Sequence, residues 1–169
     1  EIFQKLPEWK MPGSEVQNLT FPIGLETLDI ANLTSEPAVL NAAFSSSMLA
    51  DFCDDDLILT VSGRMRTGFF DFSVRQTSGR LHQMSVSNAQ MEIDGGYEGE
   101  KALYLFEAKN HSARNFNLRQ IYYPTGSWSQ RIKKPVVPIF LTHSNDVFDL
   151  YRFEFENEAE LSSAVLTSH

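Results

Sequence analysis

Two acidic residues and a lysine stand at a spacing that suits metal-assisted chemistry on phosphate esters. Glu107 and Lys109 are separated by one residue, and Asp94 lies thirteen positions before Glu107. Residues two apart on a β-strand point to the same face, so Glu107 and Lys109 would share a face. Two carboxylates and the Ala108 carbonyl are hard oxygen ligands of the kind that Mg²⁺ prefers. The neighbouring lysine could orient or deprotonate a water molecule, which indicates hydrolysis of a phosphodiester.

Two predicted strands must place these residues at one end of a sheet. The run Ala102-Leu103-Tyr104-Leu105-Phe106 is apolar throughout and predicts a central strand covered on both faces, with Glu107 at its end. Residues 81–94 predict one or two further strands, the last of them ending at Asp94. The glycine-rich segment 95–100 predicts a turn. Antiparallel pairing across that turn would bring Asp94 close to Glu107.

The other predicted elements are a helix, several strands, a second helix and two further strands. Ser35, Glu36 and Pro37 are typical of a helix start and predict a helix over 36–53. A short helix is predicted over 113–123, ended by Pro124. Further strands are predicted at 57–61 and 68–74, paired as a hairpin, and at 136–142 and 147–155, with a turn at 144–146. This order favours an α/β or α+β fold.

Composition divides the chain into three parts. Pro and Gly residues interrupt segment 1–34, which predicts an irregular arm, followed by a globular domain over 35–157 and a tail over 158–169. The lone cysteine, Cys53, excludes a disulfide framework and a cysteine-based zinc site. Since no apolar run is long enough to span a membrane and no secretory pattern is seen, we expect a cytoplasmic protein without a membrane partner.

The net charge of −8 conceals an uneven distribution of charged residues. The chain contains 14 Lys and Arg residues and 22 Asp and Glu residues. Of these, 11 basic and only 6 acidic residues lie between positions 61 and 135, a local charge of +5. An acidic whole chain argues against a nucleic-acid partner, but this basic middle provides one candidate face for it.

The motif resembles that of the PD-(D/E)xK nuclease superfamily, the restriction-endonuclease-like proteins. In that superfamily an Asp at a strand end is followed, after a spacer, by Asp/Glu-x-Lys on the next strand, and here Ile93 stands where a proline is often seen. The segments that look like putative type II restriction enzymes are Ile93-Asp94-Gly95-Gly96-Tyr97-Glu98-Gly99, Phe106-Glu107-Ala108-Lys109-Asn110, Arg119-Gln120-Ile121-Tyr122-Tyr123-Pro124 and Pro138-Ile139-Phe140-Leu141-Thr142-His143-Ser144-Asn145-Asp146. The resemblance covers roughly residues 60–157 and implies a mixed central sheet flanked by helices.

The resemblance also implies an activity and the residues that carry it. We expect a Mg²⁺-dependent endonuclease of restriction type, with Mn²⁺ as a substitute, acting on double-stranded DNA. Asp94, Glu107 and Lys109 would be catalytic, and the metal would be held by Asp94, Glu107 and the Ala108 carbonyl. The residues expected to contact DNA are Arg64, Arg66, Asn110, His111, Arg114, Arg119, Gln120, Arg131, Lys133 and Lys134. Because cutting both strands at one site needs two centres, we expect a homodimer.

Two other interpretations fit the same residues. One is a nuclease-like module that has no catalytic activity and binds DNA or a protein partner. The other is a β-rich ligand-binding or protein-interaction domain, in which Glu107 and Lys109 merely form an ion pair on a strand face.

Overall fold

A six-stranded mixed sheet separates two layers in the computed structural model, which describes residues 2–6, 18–22 and 24–169. The helices are α1 (Glu36–Ser45), α2 (Met48–Cys53) and α3 (Arg119–Ser129). The strands are β1 (Phe3–Lys5), β2 (Ile58–Arg66), β3 (Phe69–Arg75), β4 (Leu81–Ser87), β5 (Gln90–Glu98), β6 (Leu103–Lys109), β7 (Asn115–Asn117), β8 (Val136–Ser144), β9 (Val147–Phe155) and β10 (Ala164–Ser168). Short 3₁₀ helices cover Ile30–Asn32 and Leu161–Ser163.

The central sheet has the strand order β10-β9-β8-β6-β5-β2. Strands β6 and β8 are parallel, joined through α3, and the other neighbours are antiparallel. Two small sheets, β3-β4 and β1-β7, lie outside it. This mixed α+β architecture confirms the predicted fold class. None of the helices in the described ranges is long and apolar enough to cross a membrane.

Strand β6 lies in the middle of the sheet and is covered on both faces, as predicted. Tyr104 and Phe106 pack with α1 and α2 on one face. Leu103 and Leu105 alternate with them and face the layer that contains α3. Each of these four side chains is at most 3 % exposed. The apolar run at 102–106 therefore positions its two polar successors, Glu107 and Lys109, at the edge of a rigid core.

The predicted helix over 36–53 starts as expected but is two helices. Ser35 caps α1, since its Oγ accepts a hydrogen bond from the Ala38 backbone N–H at 3.3 Å. The prediction of one continuous helix was wrong because Ser47 has a left-handed conformation, with φ of 64°, which ends α1 and reorients the chain before α2. The apolar spacing continues through this break, so the sequence pattern did not reveal it.

The predicted hairpin between 57–61 and 68–74 was also wrong. Strand β2 pairs with β5, whereas β3 pairs with β4 in a separate two-stranded ribbon. The reason is packing: Phe70 and Phe72 of β3 are buried against Tyr122 of α3, outside the central sheet. Strands β2 and β3 are adjacent in the sequence but do not pair, because their apolar faces belong to different layers.

Two predicted chain breaks do not occur where they were placed. Residues 95–98 continue β5, and the turn follows it at 99–102, where the Gly99 N–H donates to the Ala102 carbonyl at 2.9 Å. Asp94 is therefore inside a strand and not at its end. Pro124 lies inside α3, which begins at Arg119 because residues 115–117 form β7 instead of a first helical turn.

Both ends of the chain contribute strands. Segment 158–169, separated as a tail by composition, contains β10, which pairs with β9 at one edge of the central sheet. In the predicted arm, β1 pairs with β7 near the start of α3. Residues 1, 7–17 and 23 of that arm lie outside the described residues.

Candidate active site

A β-bulge places the Asp94 carboxylate beside the end of β6. Between the pairs Val61–Gly96 and Gly63–Ile93, strand β5 contains one residue more than β2. Such a bulge changes the direction in which a side chain points. The β5–β6 ladder ends at the pair Gly95 and Phe106, next to Asp94 and Glu107. Beyond that pair, Asp94 Oδ2 accepts a hydrogen bond from the Ala108 backbone N–H at 2.8 Å. The Asp94 carboxylate thus takes the place of a backbone carbonyl as acceptor for the Ala108 N–H and links β5 to β6 beyond the end of their ladder.

Glu107 is held by two donors from different elements. Lys109 Nζ and Gln120 Nε2 both donate to Glu107 Oε1, and Lys109 Nζ also donates to the Ala108 carbonyl at 3.0 Å. Glu107 is 7 % exposed, whereas its side-chain partner Lys109 keeps 23 % of its own side chain accessible. A cavity of about 10 Å³ beside Glu107, Gln120 and Pro124 is about large enough for one water molecule. The structure therefore brings together Asp94, Glu107, Ala108, Lys109 and Gln120.

The electrostatics of this cluster favour a ligand that carries positive charge. Burial and then the nearby Asp94 carboxylate raise the pKa of Glu107 to about 7, although contact with Lys109 opposes the shift. Burial likewise raises the pKa of Asp94, and the hydrogen bond from Ala108 opposes this shift. Two partly buried carboxylates close to one lysine repel each other, and a bound cation would relieve that repulsion.

One site residue was missed by sequence reasoning. Glu36, the first residue of α1, is half-buried and close enough for its charge to raise the pKa of both Asp94 and Glu107. The sequence alone indicates only an acidic residue in the first turn of a helix, where its negative charge interacts favourably with the helix dipole. No local pattern connects it to Asp94, because the contact depends on how α1 packs across the sheet.

The donor set at the cluster fits Mg²⁺. Glu107 Oε2 and Asp94 Oδ1 make no hydrogen bond within the described part of the chain. The Ala108 carbonyl points toward the same neighbour as its N–H, since both groups of a strand residue face one side. Among the described residues, no three His, Cys, Asp or Glu side chains are grouped so that they could hold a metal ion. Mg²⁺ does not require such a group, because it usually keeps several waters and binds one or two carboxylates.

Most of the predicted DNA contacts lie around the same end of the sheet. Arg64 and Arg66 of β2 flank the part of β5 that leads into Asp94, and both are exposed. Arg64 pairs with Glu92 at 3.4 Å, and Arg66 donates to the Asn88 carbonyl at 3.0 Å. Arg119 at the start of α3 lies over the Tyr123 ring, 5.7 Å from its centroid. The segment between β6 and α3 carries Asn110, His111 and Arg114.

Two other predicted contacts, Lys133 and Lys134, do not lie at the cluster, and a third, Arg131, lies beside Arg66. Lys134 pairs with Glu98 at 2.7 Å and donates to the Gly99 carbonyl, at the end of the sheet where β6 begins. Lys133 is its exposed neighbour. Arg131 follows the end of α3, stacks on Trp128 at 5.3 Å and donates to the Arg66 carbonyl. On α3, Gln120 contacts Glu107, whereas Tyr123 packs against Phe70 and Phe72.

Comparison with known proteins places the chain in one family. A family model described as "Domain of unknown function (DUF6997)" matches residues 1–169. No curated protein and no solved structure matches the chain.

Proposed function

The chain belongs to the DUF6997 family, and we propose that it is a Mg²⁺-dependent endonuclease of restriction type, which hydrolyses phosphodiester bonds in double-stranded DNA. The observation that carries this proposal is the meeting of Asp94, Glu107 and Lys109 at one point on two adjacent strands. Each of these groups is charged or hydrogen-bonded, and each is fixed by the sheet or by α3. An active site requires charged groups that are fixed in place before the substrate binds, whereas an ion pair on the surface has no such requirement.

The topology around the cluster supports the same proposal. Helices α1 and α2 are followed by the antiparallel central strands β2, β5 and β6, with the β3–β4 ribbon inserted between β2 and β5, and then by helix α3 and the parallel strand β8. This is the order of helix, three strands, helix and strand that the resemblance to the PD-(D/E)xK superfamily implies. The candidate residues lie on the second and third of those strands, where that superfamily has its motif.

Each residue of the cluster has a distinct role in this proposal. Asp94, Glu107 and the Ala108 carbonyl would hold Mg²⁺, with Mn²⁺ as a substitute. When bound, the ion would polarise the scissile phosphate and lower the pKa of a coordinated water molecule. Lys109 would orient the attacking water and offset charge on the phosphate, since its Nζ lies beside both metal-binding groups of β6. Gln120 would fix the Glu107 carboxylate from the side of α3.

The substrate and assembly follow from charge and from the number of centres. Segment 108–145, which runs from the end of β6 through α3 to β8, contains no acidic residue. The phosphates of DNA at the cluster would be neutralised by Arg64 and Arg66 of β2 and by Arg114 and Arg119. Lys133 and Lys134 lie at the other end of the sheet. One cluster cuts one strand, so we propose a homodimer.

The single cysteine is a buried free thiol, which suits the reducing cytoplasm that we propose as the location of the protein.

The test is the cleavage of supercoiled plasmid and of phage DNA with Mg²⁺, comparing the wild type with Lys109→Ala. We expect the wild type to cleave and Lys109→Ala to be slower by at least roughly 100-fold, the usual loss when a group that activates water is removed. Lys101→Ala is the matched control, because Lys101 is an exposed lysine paired with Asp54 at the opposite end of β6. This control should cleave at the wild-type rate.

Two results would contradict the proposal. Equal rates for the wild type and Lys109→Ala would remove Lys109 from the reaction. If no DNA is cleaved and calorimetry detects no binding of Mg²⁺ or Mn²⁺ to the wild type, the catalytic proposal fails. DNA binding without cleavage or metal binding would then favour a non-catalytic nuclease-like module.

A further inference from the structure

Strands β1 and β7 form a short ribbon that packs on the same face of the central sheet as the Glu107 cluster. The Phe116 ring of β7 stacks on the Phe140 ring of β8, with 4.1 Å between the ring centroids. Phe140 is the residue of β8 that pairs with Glu107 of β6. Paired residues on adjacent strands point to the same side of a sheet, so the ribbon lies over the strand next to the cluster.

The chain also connects the ribbon to the cluster on both sides of β7. A short loop leads from Lys109 into β7, and α3 begins just after β7 ends. Asn117 Oδ1 accepts a hydrogen bond from the Arg119 N–H at 3.0 Å, and the next residue, Gln120, contacts Glu107. The ribbon is therefore held beside the cluster by its packing on β8 and by its junction with α3.

The outward face of the ribbon has the side chains of a DNA-binding surface. Phe116 faces the sheet, so the pairs Phe3–Asn117 and Lys5–Asn115 on either side of it face away from the sheet. Phe3 is 53 % exposed. Lys5 and Asn115 are exposed, and their side chains make no hydrogen bond or ion pair within the described part of the chain. These three side chains suit, in turn, a base or sugar, a phosphate and the edge of a base.

The charge around this face suits a polyanion. In a chain with 22 acidic residues, residues 2–6 and segment 108–145 contain none. Lys5 lies opposite Asn115, next to Arg114, and Arg119 follows at the start of α3. Asp149 of β9 lies on the same face of the central sheet, in line with Lys109, but one carboxylate does not offset these three cations. The outward face thus lies in a region of positive charge next to the cluster.

We propose that the outward face of the β1–β7 ribbon binds DNA beside the cleaved phosphate. Lys5 neutralises a phosphate of the backbone, Phe3 packs against a sugar or base, and Asn115 contacts the edge of a base. This inference rests on the proposed function and extends its set of DNA contacts to a segment outside the resemblance. A protein is the other partner that an exposed aromatic residue suits, but protein interfaces are depleted in lysine, whereas phosphate binding requires a cation.

The experiment measures the binding of the full chain to a short labelled duplex of mixed sequence by fluorescence anisotropy, with Ca²⁺ in place of Mg²⁺. We expect Phe3→Ala to raise the Kd about fivefold or more. Lys5→Ala should lower the slope of log Kd against log salt concentration by about 0.9, the loss of one phosphate contact. The matched controls are Ile58→Ala, an apolar residue that is 70 % exposed, and Lys101→Ala. Both lie at the opposite end of the sheet and should bind as the wild type does.

A third variant tests the ribbon without removing side-chain volume. Asn115→Asp keeps nearly the same shape but adds a negative charge, so it should raise the Kd severalfold and more so at low salt. Asn41→Asp is its matched control, because Asn41 is an exposed asparagine of α1, on the other face of the sheet. This control should bind as the wild type does.

Plasmid cleavage with Mg²⁺, measured on the same proteins, separates the two proposals. If the wild type cleaves and all three ribbon variants bind DNA as it does, the ribbon does not contact DNA and the nuclease proposal stands. If the wild type binds DNA without cleaving it and the variants bind more weakly, the nuclease proposal fails and the ribbon remains a DNA-binding surface. A wild type that neither binds nor cleaves removes both.

Two further measurements complete the test. If the ribbon variants change only the oligomeric state, measured by sedimentation, the outward face binds a second copy of the chain and the inference is wrong. Thermal unfolding of the three variants, expected at the wild-type temperature because their side chains are exposed, shows that weaker binding does not come from loss of the fold.

Discussion

At the scale of single residues, Glu107 has two donors on one carboxylate oxygen and none on the other within the described part of the chain. Lys109 and Gln120 hold Oε1, so the orientation of the carboxylate is fixed before any ligand arrives. The free Oε2 and the Asp94 carboxylate are the groups that a cation would bind. Burial of this arrangement has a cost, since Glu107 must lose its proton in a nearly dry environment.

That cost predicts how the stability of the metal-free protein depends on pH. The pKa of Glu107 is raised in the folded protein from 4.5 to about 7. A raised pKa means that the folded state binds the proton more tightly, so this stabilising contribution is fully present below pH 4.5 and is lost as the pH rises through 7. We expect the free energy of unfolding in EDTA, from urea titrations, to decrease between pH 5.5 and 8 by up to ~2 kcal/mol.

The variant Glu107→Gln isolates this contribution. It cannot ionise, so the decrease between pH 5.5 and 8 should be much smaller than in the wild type. The same substitution at exposed Glu100 is the control and should keep the wild-type pH dependence. If Glu107→Gln and the wild type lose the same free energy over this range, burial of an ionising Glu107 is not the cause.

The residues of the site differ in how far the sequence could reveal them. Glu107 and Lys109 could be predicted because a strand places residues two apart on one face. Asp94 could be predicted because a hairpin brings residues at its open end together. Glu36 could not, since it lies 58 positions before Asp94 and approaches it only when α1 packs on the sheet. Local periodicity describes one element at a time and does not encode such a contact.

At the scale of elements, the strands that were predicted well are those whose local and tertiary requirements agree. The β8–β9 hairpin has its turn at Asn145 and Asp146, whose positive φ values of 52° and 60° suit these residue types. Segment 95–98 shows the opposite case, because two glycines favour a turn but form part of β5. Gly96 is needed there for close approach: a Cβ atom would lie 2.8 Å from Val61 Cβ and 3.0 Å from Leu105 Cδ2.

Gly96→Ala should therefore destabilise the protein. The added methyl group would force β2 and β5 apart, at a cost of ~1–3 kcal/mol for overpacking. For a chain of this size we expect the melting temperature, measured by circular dichroism, to fall by about 2–4 °C per kcal/mol.

Gly126→Ala in α3 is the matched control for Gly96→Ala. Its Cβ would lie 3.4 Å from the Phe70 ring, an ordinary contact, and alanine favours the helix. This variant should melt at or above the wild-type temperature. A Gly96→Ala protein as stable as the wild type would show that the contact between β2 and β5 is not close.

At the scale of the whole molecule, the number of catalytic clusters limits what one chain can do. A single cluster can cut one strand of a duplex, whereas the opposite strand runs antiparallel and needs a second centre related by a two-fold axis. A homodimer supplies this second centre. A monomer would have to release the nicked duplex and bind it again in the opposite orientation before it could cut the other strand.

Mixing active and inactive chains distinguishes these two cases. If double-strand cleavage needs a dimer, wild type mixed with a large excess of Lys109→Ala should form mixed dimers with one active centre. Supercoiled plasmid should then become nicked circles, with linear DNA strongly reduced on an agarose gel. The same excess of Lys101→Ala, which leaves Glu107 and Lys109 untouched, should keep linear DNA as the product. Linear DNA at an undiminished rate with Lys109→Ala in excess would mean that each chain cuts both strands in turn, and the proposed homodimer would be wrong.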